Sequence, residues 1–404
     1  MFTGVFALMK STTFPATAWL YLASAAFSNF GNAVATLVWP WLVLQRTGDP
    51  AAAGLVATLI GIPTVVVAIV GGHLIDTVGR KPMSVISDVI SASSIVAVIA
   101  VDQYWDLNLW WLVIIGIYGA VGDIPGFAAR NALMGDVAAS SGKSLEWVAG
   151  IMQAITGVSF LLGPALGGIL MASLPLTSVL WITAGCSLFA AVLTFALRLT
   201  ATGSSEEEEQ QVFSGWRAWT AVLKSAPVRM MAIINGIAEI LVIPYLLIFL
   251  PAHFESINAP ASLGATMSGF AVGLMVGGVI SAKMDSLSPL QRWWIGMGLY
   301  TLAFAGMAVL HVTWIVIVGM VLAGLGSGFV TPLQNVFITE SVPEQLRGRA
   351  FSLMGAINLL AQPVGLAAAT VALGFASIYS LAVVCAVLWA SGALWASVEG
   401  KRVL

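Results

Sequence analysis

Charge is what this 404-residue chain has least of. Sixteen basic and eighteen acidic side chains make up 8% of the residues, against about 25% in soluble domains. So few charges cannot clothe a water-soluble particle of this length. Composition therefore excludes a soluble enzyme, a disordered chain and a nucleic-acid-binding protein. Cysteine is scarce too. Cys186 and Cys385 both lie in apolar runs, the pattern of buried free thiols rather than of a disulfide framework. His73, His253 and His311 are scattered and lack metal-ligand spacing, so no metal site is expected. A G-x-x-x-x-G-K-(S/T) run is missing, which argues against ATP as the energy source, and no cofactor is expected. Met1 to Ser11 lacks the charged start and small-residue cleavage pattern of a secretory signal. The first apolar segment is expected to serve as the insertion signal instead.

What remains is apolar: 59% of the residues are hydrophobic. The runs are continuous rather than alternating, which excludes a porin-type barrel. A membrane-spanning helix needs about 20 apolar residues. Twelve spans are expected, at 17–44, 52–75, 83–101, 109–128, 145–172, 177–198, 228–251, 263–284, 292–310, 313–337, 350–373 and 377–397. This all-α arrangement places fifteen of the sixteen basic residues on one side, with Arg46 alone on the other. Such a bias puts both termini in the cytoplasm.

One long polar stretch, Thr200 to Ser225, follows the sixth span and contains Glu206 to Glu209. It divides the chain into an N-terminal six-helix bundle (1–199), a linker (200–226) and a C-terminal six-helix bundle (227–404). Within the linker, Val212 to Lys224 has the pattern of an interfacial amphipathic helix, with Phe213, Trp216, Trp219 and Leu223 as its apolar residues. The glutamate run reads as solvated linker. The halves also look repeated. Arg130-Asn131, Asp136 and Lys143 recur as Gln334-Asn335, Glu340 and Arg347, at an offset of 204. Gly72 pairs with Gly278 and Asn29 with Asn235, at an offset of 206. Repeated halves with a site between them are a transporter signature.

Two motifs sharpen this. Gly72, Asp76, Gly79, Arg80 and Lys81 follow the second span in the pattern G-x-x-x-D-x-x-G-R-K. This resembles the loop 2–3 signature of the major facilitator superfamily, with Thr77 where a basic residue is usual. Asp76 is placed to accept from a helix N-terminus, and Arg80 to pair with Asp136. Such a cluster, with Asp88 close to its cytoplasmic end, is read as a latch that forms in one arrangement of the halves. In the fifth span, Gly150, Ser159, Gly163, Pro164, Gly167 and Gly168 resemble the antiporter motif of the same superfamily, with Ser159 in a glycine position. Ser159, Gly163 and Gly167 form a small-residue face, and Gly269, Gly273 and Gly277 repeat that spacing in the eighth span. Spans five and eight are therefore expected to pack together across the halves.

The stretches Gly31 to Pro63, Ala129 to Leu133 and Pro343 to Arg349 narrow the resemblance. Together they are similar to the twelve-span drug:proton antiporters that include macrolide-efflux proteins and the enterobactin exporter. The resemblance implies the two-bundle major facilitator fold, export by alternating access and a monomer in the inner membrane. Its partners would be a small amphipathic substrate, membrane lipid and protons. The fourth span, read as 109–128, lacks the arginine that many proton antiporters of the superfamily carry within that helix.

An ionisable group at mid-bilayer costs at least about 2.5–3.5 kcal/mol, so each needs a reason. Glu239 lies about 17 Å into the seventh span, near the midplane. Asn235 sits one turn before it. An acid there without a basic partner is suited to exchange a proton or to bind a cationic substrate, the alternative being a protonated glutamate hydrogen-bonded to backbone or to Asn235. Asp123, near the cytoplasmic end of the fourth span, reads equally as a second proton site or as part of the latch. Asp88 is expected to be satisfied by water or Arg80. A polar cavity lining is expected from Asn29, Asn32 and Thr36 on the first span, with Asn235 and Glu239 on the seventh. Thr331, Gln334 and Asn335 on the tenth and Asn358 and Gln362 on the eleventh would complete it. Helix–helix hydrogen bonding is the competing explanation for each amide. The resulting reading is a non-enzymatic secondary exporter. Its rivals are a lipid or lysolipid translocator of the same fold and a non-transporting scaffold or receptor.

Overall fold

In lipid every backbone N–H and C=O must find a partner within the protein, which leaves helices as the structure for apolar runs of this length. The computed structural model describes residues 14, 16–199, 225–284 and 286–403. Among these, twelve long helices follow one another: α1 (Ala16–Thr47), α2 (Pro50–Val78), α3 (Arg80–Tyr104), α4 (Leu109–Ser141), α5 (Leu145–Ser173) and α6 (Leu176–Phe195). The seventh, α7, starts at Ala226–Pro244, passes through a π turn at Tyr245–Phe249 and ends at Leu250–Ser256. Then come α8 (Pro260–Lys283), α9 (Pro289–Met307), α10 (Thr313–Ser341), α11 (Glu344–Leu373) and α12 (Ile378–Val403). The expected interfacial helix and glutamate run of the linker lie outside the described residues.

Ten of the twelve are long and apolar enough to cross a membrane. The other two have the length, 32 residues for α1 and 19 for α9, but carry more polar residues. In α1 these form the stripe of Ser24, Ser28, Asn29, Asn32 and Thr36; in α9 they are Gln291 and Arg292. Short turns join the helices, and side chains close their open ends. Asp49 accepts from the Ala51 N–H at 2.8 Å, Asn108 from Trp110 and Trp111, and Ser144 from Trp147. Ser288 and Gln291 form a reciprocal capping box. The α2–α3 turn passes through Gly79 at φ 94°, a conformation that disfavours any side chain. The π turn follows Pro244, whose missing N–H interrupts the helical ladder.

Two bundles, α1–α6 and α7–α12, result. In the first, α3 packs on α4 and α6, and α1 on α5 and α6. In the second, α10 packs on α8 and α9, and α11 on α7. Contacts between bundles run through α5 with α8, α2 with α11, and α1 and α2 with the last part of α7. They gather at one end, which carries the turns at 48–49, 174–175, 257–259 and 374–377. There a Cβ on Gly54 would lie 2.3 Å from Thr370 Oγ1, and one on Gly168 would lie 2.5 Å from the Pro260 carbonyl oxygen. At the opposite end, Gly72, Gly135, Gly278 and Gly348 face open space.

The sequence expected α5 and α8 to be neighbours, and they are, but through other residues. Gly168 meets Gly264, while Gly163 and Gly167 receive Ala33, Val34 and Leu37 of α1. Gly269, Gly273 and Gly277 receive Val321 and Leu325 of α10. Small-residue spacing marks a close helix contact without saying which helix fills it. Gly150 meets nothing within 4 Å. Buried Ser159 and Pro164 stay on α5, and the Pro164 carbonyl lies against Gly264.

Candidate functional site

The fourth helix does not stop where its apolar run ends. It continues to Ser141, closed by Gly142 at φ 70°, so Arg130 lies inside a helix. Its side chain is buried, and Nη2 donates to Asp88 Oδ2 of α3 at 2.6 Å. Arg130 Nη1 donates to Ser24 Oγ of α1 at 2.9 Å, and Ser28 Oγ donates to Asp88 Oδ1 at 2.9 Å. Tyr21 closes the set by donating to the Arg130 carbonyl at 2.8 Å. The partner of Asp88 is therefore Arg130, not water or Arg80. An arginine usually marks the water boundary, but here these partners satisfy it inside the protein. Signals existed in the sequence: Ser24 and Ser28 stand one turn apart, and Ser84, Ser87, Ser91 and Ser94 line the Asp88 face of α3, all buried.

The expected latch is also more local than read. Arg80 Nη1 lies 3.3 Å from Asp136 Oδ2, joining the start of α3 to the end of α4. Lys81 donates to the Leu197 carbonyl at 2.8 Å. All of these belong to the first bundle, and so does buried Asp88. Gly72 and Asp76 are exposed, and Gly79 makes the turn.

Two neighbouring cavities lie among the inner helices. The larger, about 430 Å³, sits between α1, α2, α4, the π turn of α7 and α11. Thr36, Trp39, Pro40, Ile60, Gln362 and Pro363 are among its walls. The smaller, about 190 Å³, lies within the first bundle and holds Asn32, Ser91, Ser94 and Asp123. Ser91 Oγ donates to Asp123. Of the expected lining, Asn32, Thr36 and Gln362 are thus in cavity walls, and so is Asp123, which the sequence offers as a proton site or a latch member.

The remaining expected residues line neither cavity. Asn235 of α7 donates to Asn358 of α11 at 3.2 Å and accepts from Gln334 of α10 at 3.2 Å. Asn29 of α1 donates to Thr156 of α5 at 3.4 Å. These amides join helices, and each half uses them in an equivalent place. Thr331 and Asn335 are exposed on α10, with Thr331 3.5 Å from Ser327. Half-buried Glu239 forms no ion pair among the described residues. Of the tenth-span polar residues, Gln334 is directed at α7. Trp39, Ile60 and Pro363 escaped the sequence reading because apolar residues in an apolar span carry no distinguishing mark.

The sequence profile of the Major Facilitator Superfamily matches residues 21–366. The chain belongs to this superfamily. Solved members share the fold at low sequence identity. The nucleoside transporter NupG (D323A mutant) is 14% identical with a TM-score of 0.73, covering 94% of this chain and 99% of that one. A bacterial homologue of the iron transporter ferroportin in an inward-facing state is 15% identical with a TM-score of 0.71, covering 96% and 98%. Among superfamily relatives, the multidrug efflux pump Tap of Mycolicibacterium fortuitum is 28% identical over 357 residues, 86% of this chain and 87% of that protein. Macrolide efflux protein A of Streptococcus pyogenes is 22% identical over 361 residues, 85% and 86% of the two chains. This chain is thus an integral membrane protein with a major facilitator transporter fold.

Proposed function

We propose that this chain is a proton-coupled exporter of amphipathic small molecules, working by alternating access in the bacterial inner membrane. The observation that carries it is the apolar cavity between the two bundles, closed at one end by glycine contacts. The likeness to efflux pumps along most of the chain supports the direction. Substrate enters this cavity from the cytoplasm or inner leaflet. Bundles 1–199 and 227–404 are the moving bodies, tied by 200–226, in a monomer with both termini cytoplasmic. On that orientation the open end faces the cytoplasm and the closed end faces out. Arg80 and Asp136 brace the first bundle where the motion needs a rigid lever.

Protons have two candidate carriers, Glu239 in the second bundle and Asp123 in the first. A carboxyl in a low-dielectric span is stable only when neutral or paired, so each conformational exchange can be tied to its protonation. Glu239→Gln fixes the neutral form and should abolish uphill efflux while leaving substrate binding within about twofold. The experiment is accumulation of ethidium and erythromycin in cells lacking their own pumps. Wild type should lower accumulation of at least one, a protonophore should restore it, and the Gln variant should match the empty vector. Equal accumulation in wild-type and vector cells for these and for lysolipid probes would remove the exporter reading.

A further inference from the structure

The two cavities are separated by three side chains. Trp39, Ile60 and Ala120 belong to the walls of both. The compartments on either side differ in chemistry. The larger is apolar apart from Thr36, Thr64, Gln362 and the Trp39 indole. The smaller ends on a carboxyl, Asp123, beside Asn32, Ser91 and Ser94.

Charge in this region does not balance. Asp88 and Asp123 face one base, Arg130, and Arg130 is engaged by Asp88 and Ser24. Asp123 accepts from Ser91 and makes no ion pair among the described residues. The partition has an unused donor as well: the buried Trp39 Nε1 meets no acceptor among the described residues. The partition fits because Gly116 leaves room for it. A Cβ there would lie 2.3 Å from Ile60 Cδ1 and 2.9 Å from Trp39 Cζ2. Both neighbours are side-chain ends, so the wall between the compartments can move by rotamer change.

We infer that the site is bipartite and selects elongated amphipathic amines. The apolar body lies in the larger compartment, and the protonated amine passes Trp39, Ile60 and Ala120 to pair with Asp123. The Trp39 N–H serves an acceptor at the junction. An ammonium supplies the cation that Asp123 lacks and donors for Asn32 and Ser94, while a neutral amide supplies no charge. This inference rests on the exporter reading of the cavity.

The test uses dansylcadaverine, a naphthalene fluorophore with an alkyl chain ending in a primary amine, and its N-acetyl derivative. Binding to the purified full-length protein is read from dansyl fluorescence at pH 7. Wild type should prefer the amine by roughly tenfold or more, the scale of a charge-assisted hydrogen bond. Asp123→Asn, which keeps shape and removes charge, should erase that preference and leave the acetylated probe unchanged. Ala120→Leu narrows the junction without touching a charge and should weaken the amine selectively. Equal binding of the two probes by wild type, no binding of either, or a preference that survives in Asp123→Asn would overturn the inference. So would a preference lost in Glu239→Gln instead, which would put the cation in the second bundle. The exporter reading is judged separately. Vesicles that transport the acetylated probe uphold it whatever Asp123 does, and vesicles that move neither probe count against it without altering the binding result.

Discussion

Asp88→Asn is expected to cost the fold about 3–5 kcal/mol, the largest effect of any single substitution outside the cavities. The change leaves the Arg130 guanidinium buried between α1, α3 and α4 with neutral acceptors only, Ser24 Oγ and the new amide oxygen. A guanidinium cannot shed its charge by losing a proton. Arg130→Gln should cost less, because a stranded aspartic acid can be neutralised by a proton and still accepts from Ser28. The double variant should recover most of the loss, since two neutral amides leave no buried charge and can bond to each other. Denaturant unfolding of the purified protein measures all three. An ordering in which Arg130→Gln is the worse single, or a double variant no better than Asp88→Asn, would show that the pair does not hold α3 against α4.

Gly264→Ala is expected to release the closed end. Its Cβ would sit 2.2 Å from the Pro164 carbonyl oxygen and 3.1 Å from Gly168 Cα. Both are backbone atoms, so no rotamer change relieves the contact and the helices must separate. Overpacking of this kind costs about 1–3 kcal/mol. Because the contact exists only when this end is shut, the cost falls on one conformation and shifts the balance about 5–150-fold toward the other. Spin labels at Leu174 and Ile257, with Cys186 and Cys385 replaced, should report a longer distance in the variant. Gly298→Ala, where a Cβ meets nothing within 4 Å, serves as the control and should leave the distances alone. Unchanged distances in Gly264→Ala would mean that this glycine pair does not set the closed state.

Long-range architecture was legible because it rests on run length and charge placement. Twelve apolar runs became twelve helices, and the two motifs carried the family. The α5–α8 contact was legible too, since small residues permit close approach. Which residues fill that contact was not, because glycine spacing says nothing about the partner: Gly163 receives Ala33 from α1, and Gly273 receives the Val321 backbone from α10. The end of α4 was misplaced for a related reason. A basic residue stops an apolar run in the sequence whether it meets water or a buried carboxylate. Arg130 does the latter, and its partners lie 42 and 106 positions away. Asn235, Gln334 and Asn358 were expected to line a cavity, yet those amides satisfy one another across three helices. Trp39 was invisible as a site residue because its role depends on two cavities meeting at its ring.

The most direct test of the account is proton counterflow in proteoliposomes holding the purified protein and a trapped pH dye, driven by an imposed dansylcadaverine gradient. Wild type should move protons against the substrate flux, and Glu239→Gln should move none. Substrate flux without proton movement in wild type, or equal proton movement in Glu239→Gln, would contradict proton-coupled export through that carboxyl.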